Sequence, residues 1–274
     1  FGQSRLLVHN NEVKSQKDCR YCGYCMSGCV YGSIYKAKDD LNQLIKSGEI
    51  DYIRGLLVSS IKEFKSKVNI TALDKNHHFL NFECDKVFIG AGAVNSTRII
   101  LKSIELFDFD IELKSTTGFI VPMLSKTKIP SEWPNTSTLP GIFVEFKNKN
   151  LDKWVHAQVS TPNELVLEKL GLLDSSGSRI KSFIKYLIDY TAIVHCNMHS
   201  DYGYPYTLRL IKSPHNEEIL DCQRKLEPKN KIFEKEASKE IKKIMKEIGL
   251  YTLESSRIGK PEDVGYHIGG SIPM

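Results

Sequence analysis

Four cysteines lie within eleven residues near the start of the chain, and their spacing is the clearest chemical signal in the sequence. Cys19, Cys22, Cys25 and Cys29 follow the pattern C-x2-C-x2-C-x3-C. This spacing lets a short loop fold its thiolates around an iron–sulfur cluster, as in bacterial ferredoxins, although Val30 stands where proline usually follows. The spacing alone leaves three alternatives open, which are structural zinc, local disulfides and thiols packed as small apolar groups.

A glycine-rich turn is the second candidate site. The run KVFIGAGAV predicts a buried strand that ends in a tight turn, and RIILKSIELF predicts the helix after it, with Asn95, Ser96 or Thr97 as N-cap. Backbone N–H groups at such a helix N-terminus can approach a phosphate or an electron-rich ring. A turn that needs small residues only for packing is the alternative, because Asn95 replaces the third glycine of a dinucleotide fingerprint. The candidate binding residues are Gly90, Ala91, Gly92, Ala93 and Asn95.

His267 precedes two glycines in the segment YHIGGSIPM near the end of the chain. Small residues there would let a planar ring or a substrate come close to the imidazole, which can take a proton from an alcohol. A structural histidine is the alternative. The candidate residues of this segment are His267, Gly269, Gly270 and Ser271.

The elements that must position these residues follow from composition and periodicity. The chain has 274 residues, 41% hydrophobic and 26% charged, which is typical of a globular protein. No apolar run reaches the ~18 residues of a membrane span, and a dispersed net charge of +5 does not indicate nucleic-acid binding. Strand-like segments occupy 55–84, alternating segments with two interrupting helices occupy about 115–222, and an amphipathic helix follows and ends at Gly249. The sequence predicts an α+β or α/β fold.

Together, the cysteine run ending in GCVYGS, the segment DKVFIGAGAVNSTRIILKS and the terminal HIGGSIPM resemble the glucose–methanol–choline (GMC) oxidoreductases, a family of FAD enzymes. Their order along the chain is the family's order, and the resemblance covers most of the sequence. His267, Gly270, Ser271 and Met274 match the family signature His-x-x-Gly-Thr-x-x-Met, with serine for threonine. Pro273, where arginine is frequent, indicates a sugar- or polysaccharide-associated subgroup.

This resemblance implies a fold and an activity. It predicts a partial Rossmann-like FAD-binding domain at 1–114, a substrate domain with an antiparallel sheet at 115–228, and a return to the FAD domain at 229–274. His267 would take the hydroxyl proton of a sugar or other alcohol while hydride passes to the flavin. In dehydrogenase relatives three cysteines spaced C-x5-C-x3-C hold a [3Fe–4S] cluster, and Cys19, Cys25 and Cys29 have that spacing. Such a cluster would pass electrons to a partner protein.

The resemblance also predicts that the chain is an internal piece of a longer enzyme. The family's G-x-G-x-x-G unit would precede Phe1, and a second catalytic His or Asn would follow Met274. Alone, the piece should bind FAD poorly and turn over nothing. We expect a cytoplasmic location, where clusters are assembled. The alternative function, from a different class, is a non-catalytic electron-transfer module that binds a [3Fe–4S] or [4Fe–4S] cluster or another metal through the four cysteines.

Overall fold

The computed structural model describes residues 1–4, 7–9, 17–129, 137–169, 183, 186–215, 217–225, 230–252 and 267–272. These residues form a mixed α+β protein in which every described strand pairing is antiparallel. The chain divides into two compact units. The first comprises 1–37, 117–202 and 228–264, and the second comprises 38–116, 203–227 and 265–274. The predicted α+β class with antiparallel sheets is confirmed at this level.

The first unit is built on a six-stranded sheet in the order β1-β7-β8-β9-β6-β12. Its strands are β1 (Gly2–Gln3), β6 (Gly118–Ser125), β7 (Ile142–Asn148), β8 (Leu151–Ser160), β9 (Thr191–Met198) and β12 (Leu250–Tyr251). Alternate residues of these strands face the core, as period-two patterning requires. In β9 the core-facing residues are Ala192, Val194, Cys196 and Met198.

The amphipathic helix predicted near the C-terminus packs on this core. It runs as α4 (Asn230–Glu247), and Gly249 follows it with a φ of +85° that favours glycine. The apolar stripe contributes Ala237, Ile241 and Met245, all buried in the same cluster as the sheet. Two shorter elements of this unit are α3 (Glu164–Lys169) and a 3-10 turn (Ser200–Tyr202). The predicted helix over ELVLEKLGLL is therefore described only at its start. Half of RIKSFIKYLIDY lies outside the described residues, and within its described half Phe183 and residues 186–188 are helical, as predicted.

The second unit carries two further sheets and helix α2. A three-stranded meander follows the predicted strand segments as β2 (Leu57–Phe64), β3 (Lys67–Leu73) and β4 (Phe79–Cys84). A four-stranded sheet has the order β11-β10-β5-β13, with β5 (Ile111–Ser115), β10 (Tyr206–Lys212), β11 (Glu218–Arg224) and β13 (Ile268–Gly269). Helix α1 (Ala37–Ser47) begins at the boundary between the units, and α2 is Gly92–Ser103.

Helix α2 is fixed to the meander by two polar contacts, one from its middle and one from its C-terminal end. Ser103 Oγ accepts the N–H of Ile61 at 2.8 Å. The Arg98 guanidinium donates to the carbonyl of Val58 at 2.7 Å. Because both acceptor and donor on β2 belong to the backbone, these bonds fix the position of the helix along the strand.

Two predictions about the glycine segment are wrong. Residues 86–90 form no strand, and Phe88 is 93% exposed. A buried strand of this type needs neighbours on both sides, and no described strand pairs with it. The helix also begins earlier than Asn95, Ser96 or Thr97, because Ala91 occupies the N-cap position without a side-chain cap.

The compact units group the chain differently from the predicted boundaries at 1–114, 115–228 and 229–274. Residues 1–37, which carry the cysteine loop, belong with the six-stranded sheet. Residues 203–227 belong with the glycine turn and the terminal segment. Among the described helices, none combines the length and apolar character that crossing a membrane requires.

Candidate functional site

The cysteine loop, residues 19–29, is pinned near its base by a short extended segment. Val8 forms an antiparallel bridge with Ile34. His9 donates its N–H to the carbonyl of Ser33 at 2.8 Å and accepts the N–H of Cys19 at 2.9 Å. Both ends of the loop are thus fastened to the same strand-like segment, so that the loop closes on itself.

All four cysteines line one small cavity within the first unit. Three of the four sulfurs also accept backbone N–H groups, from Tyr21 to Cys19 at 3.5 Å, from Thr138 to Cys25 at 3.4 Å and from Ser33 to Cys29 at 3.3 Å. These N–H groups point at sulfur atoms that would bind a metal. Hydrogen bonds to sulfur are also among the features that set the potential of an iron–sulfur cluster.

Cys29 is the most strongly perturbed thiol of the loop. Burial raises its pKa, but hydrogen bonds from Ser33, Ile34 and Tyr31 outweigh burial and lower the pKa to about 7. The Ser33 hydroxyl oxygen is buried and has no hydrogen-bond partner of good geometry in the described part of the chain. We expect it to become a donor to the sulfur when Cys29 ionises, since it contributes to the lowered pKa.

The cysteine loop fits an iron–sulfur cluster or a zinc ion in its chemistry. Its donor set is four thiols around one cavity, and the buried Ser33 hydroxyl is available as a donor toward a bound sulfur. The four sulfurs are too far apart to bind one ion as they stand. Among the described residues, no three His, Cys, Asp or Glu side chains are close enough together to hold a metal. Binding would therefore require the thiols to converge.

In the second unit, the terminal segment forms the edge strand β13 of the four-stranded sheet. Strand β13 pairs with β5, so that Ile268 lies opposite Ser115 and Gly269 opposite Lys114. The carbonyl of His267 accepts the N–H of Thr116 at 2.9 Å. The His267 side chain is exposed. Met274 of the predicted signature and the neighbouring Pro273 lie outside the described residues.

A buried hydroxyl pair connects this terminal segment to α2. Thr97 Oγ1 and Ser271 Oγ are 2.6 Å apart, although 174 positions separate them in the sequence. Thr97 also donates to the carbonyl of Ala93 at 2.8 Å. Since a hydroxyl carries one hydrogen, Ser271 must be the donor of the shorter bond. Two motifs that are remote in sequence thus belong to one packed region.

The backbone of the glycine turn is open on its outer side. No heavy atom lies within 4 Å of the places where a Cβ would stand on Gly90 or Gly92, and Gly92 has a φ of +77° that favours glycine. Gly269 is equally open, and Gly270 has a φ of +72°. A phosphate or a flat ring can approach the backbone at these positions, so the residues fit one edge of an FAD site.

Sequence reasoning missed the residues that support these sites from a distance. Thr138 and Glu164 contact the cysteine loop from more than 100 positions away, and Thr97 was considered only as a helix cap. No local pattern marks such long-range contacts. For Glu164 the only signal is an acidic residue at the start of an apolar helical segment.

Two further histidines, His195 and His199, lie in or next to strand β9 of the large sheet. His195 lies in β9 on the face opposite the core, and burial lowers its pKa. His199 lies after the strand, where its Nδ1 accepts the N–H of Asp201 at 3.2 Å.

Comparison of the chain with models of protein families and with curated proteins finds no match.

Proposed function

We propose that the chain is part of an FAD-dependent oxidoreductase of the GMC type that oxidises the CH–OH group of a sugar or another alcohol. The observation that carries the proposal is the buried bond between Thr97 and Ser271, together with the pairing of β13 and β5. These contacts bring the helix after the glycine turn and the segment after His267 into one unit, as the resemblance to the family requires.

His267 is the proposed general base. Its exposed imidazole precedes Gly269, which leaves open space beside the backbone. The imidazole would accept the hydroxyl proton of the alcohol as the C–H hydride leaves, so that the product is the carbonyl compound. FAD, when bound, supplies the hydride acceptor. The residues proposed to hold it are Gly90, Ala91, Gly92, Ala93, Asn95, Gly269, Gly270 and Ser271.

The finer fold assignment belongs to the same proposal. The second unit would be part of a Rossmann-like FAD-binding domain, and the six-stranded sheet of the first unit would belong to the substrate domain. What supports this is the placement of both proposed FAD-binding segments in the second unit and the antiparallel character of the large sheet. A cytoplasmic location, where iron–sulfur clusters are assembled, is part of the same proposal.

The cysteine loop would hold an iron–sulfur cluster that passes electrons to an acceptor protein. The three sulfurs that accept backbone N–H bonds belong to Cys19, Cys25 and Cys29, the trio that matches the C-x5-C-x3-C spacing of the dehydrogenase relatives. Within the described residues the Cys22 sulfur has no comparable bond. This difference supports a [3Fe–4S] cluster over a [4Fe–4S] cluster, which needs all four.

The decisive experiment compares two exposed histidines of the second unit. The complete reading frame that contains this chain is expressed, and flavin content and anaerobic flavin reduction by a panel of sugars and alcohols are measured. His267→Ala should retain flavin and lose reduction by at least about 100-fold, since a general base contributes 10²–10⁴. His215→Ala, at another exposed position of the unit, should behave as the wild type. Unchanged reduction in His267→Ala would refute the assignment.

A second candidate function is an electron-transfer module without flavin. The observation in its favour is that the cysteine loop is fastened by backbone and side-chain bonds within its own unit. Iron, sulfide, zinc and flavin measured on one anaerobically purified sample separate the two candidates. Iron and sulfide without flavin would select the module, and zinc alone would remove the cluster from both.

A further inference from the structure

A buried carboxylate lies behind the cysteine loop in the first unit. Glu164 is the first residue of α3, and it is only 1% exposed. Asn163, the residue before it, caps the helix by accepting the N–H of Val166 at 3.2 Å. Burying a carboxylate is unfavourable unless donors surround it. The residues that donate to Glu164 therefore indicate its structural role.

Both carboxylate oxygens of Glu164 are used toward the cysteine loop. Oε1 accepts the N–H of Ser27, between Cys25 and Cys29, at 2.7 Å. Oε2 accepts the hydroxyl of Thr138, itself buried, at 3.1 Å. One side chain therefore binds the loop directly and binds a second residue that contacts the loop.

Thr138 carries the connection to the third cysteine. Its Oγ1 accepts the N–H of Cys25 at 3.3 Å, and its own N–H donates to Cys25 Sγ at 3.4 Å. Because the single hydroxyl hydrogen is given to Glu164, the oxygen is left to accept from the Cys25 backbone. Charge on the carboxylate polarises this hydroxyl and makes its oxygen a better acceptor.

We propose that Glu164 is a positioning residue that, through Thr138, holds the thiol of Cys25 toward the shared cavity. Its effect on cluster assembly rests on the proposed function, whereas its effect on the thiol does not. The contacts are specific to this cysteine. Cys19 and Cys29 receive their bonds from Tyr21 and Ser33, near neighbours in sequence, and Cys25 receives its bonds from residues more than 100 positions away.

The first test measures thiol reactivity in the metal-free chain. Glu164→Gln keeps the size of the side chain but leaves one acceptor oxygen, so it cannot accept from both Ser27 and Thr138. Glu168→Gln, an exposed glutamate of the same helix, is the matched control. Alkylation of each cysteine by iodoacetamide is followed by mass spectrometry, with exposed Cys222 as the reference in the same sample.

We expect Cys25 to react at least about three-fold faster relative to Cys222 in Glu164→Gln, and as in the wild type in Glu168→Gln, because thiol reactivity follows environment and access. Thr138→Val, which keeps the shape of the side chain, should reproduce the increase and serves as the second variant should Glu164→Gln fold poorly. An unchanged rate at Cys25, or an equal rise at every cysteine, would overturn the proposal.

The second test adds iron and sulfide anaerobically to the same variants of the full chain. Glu164→Gln should bind less iron and show a broadened cluster signal by electron paramagnetic resonance, and Glu168→Gln should match the wild type. If Glu164→Gln binds iron as the wild type does, positioning of Cys25 has no bearing on assembly and the proposal fails in that part. If the wild-type chain binds no iron, the proposed cluster is refuted, and the alkylation rates alone decide the role of Glu164.

Discussion

The cysteine loop and the glycine turn differ in what holds them. The cysteine loop is fastened by a short bridge at its base and by Thr138 and Glu164 behind it, within a unit that has a large buried core. The glycine turn is preceded by residues 86–90, which pair with no described strand and expose Phe88. The conformation of the cysteine loop is therefore set by residues of its own unit. The conformation of the open glycine turn depends instead on the ligand that binds there.

The strongest test of this contrast substitutes one phenylalanine in each region. Phe119→Ala in the core of the first unit should lower the free energy of unfolding by ~3–5 kcal/mol, because the side chain is 1% exposed and a cavity is left behind. Phe88→Ala should change it by less than ~0.5 kcal/mol, as exposed positions do. Urea unfolding of both variants checks the pair. A large loss in Phe88→Ala would mean that residues 86–90 are packed, and the contrast would fail.

The ionisation of Cys29 tests whether the cysteine loop is already formed in the metal-free chain. With a pKa of about 7, Cys29 should be half-ionised near neutral pH, and its alkylation rate should rise with a midpoint there. Cys222 should react only at higher pH, since burial and the neighbouring Asp221 raise its pKa. The measurement is the rate of alkylation at each cysteine as a function of pH in the metal-free chain.

Ser33→Ala supplies the control for the origin of this shift. The substitution should move the Cys29 midpoint upward, because it removes a hydroxyl that favours the thiolate. Ser27→Ala, an exposed residue of the same loop, should leave the midpoint in place. Equal midpoints for Cys29 and Cys222 in the wild type would show that the loop does not activate its thiols.

The hydroxyl pair tests whether the glycine turn has any firm attachment of its own. Thr97→Val should cost ~1–3 kcal/mol, since it leaves the Ser271 donor buried without its acceptor. Ser271→Ala should cost less, because Thr97 keeps its bond to the carbonyl of Ala93. Unfolding midpoints of the two variants give the order. The reverse order would mean that Thr97 donates the hydrogen bond and Ser271 accepts it.

His195 gives the smallest expected effect and compares the two faces of the large sheet. Burial lowers its pKa below the ordinary 6.5, so the unfolded chain takes up the proton first as pH falls. Stability should therefore decrease as pH drops below that value. His195→Gln should make the loss in urea midpoint between about pH 7 and about pH 5 smaller, and His199→Gln, at an exposed position, should not. Equal pH dependence in all three proteins would contradict this account.

The sequence predicted the elements whose signal is local. Alternation predicted the meander and the strands of the large sheet, and the three- to four-residue spacing of Ala237, Ile241 and Met245 predicted α4. Cysteine spacing indicated a loop whose thiols line one cavity. In each case the residues that carry the pattern lie within one element or one short loop.

The predictions that failed or were missing depended on distant residues. The strand predicted over KVFIGAGAV requires neighbouring strands to bury both its faces, and none of the described strands pairs with it. Glu164 reaches the cysteine loop across 137 positions, and Ser271 reaches Thr97 across 174. Periodicity carries no information about such pairs, because it describes one element at a time.

Exposure of residues 86–90 has a consequence for handling the protein. An extended apolar segment with Val87, Phe88 and Ile89 in sequence, and with no described strand beside it, is a template for strand addition from another molecule. High apolar content and low charge over such a stretch are typical of segments that nucleate aggregation. Aggregation of the chain should therefore increase steeply with protein concentration, at temperatures where its folded units are still intact.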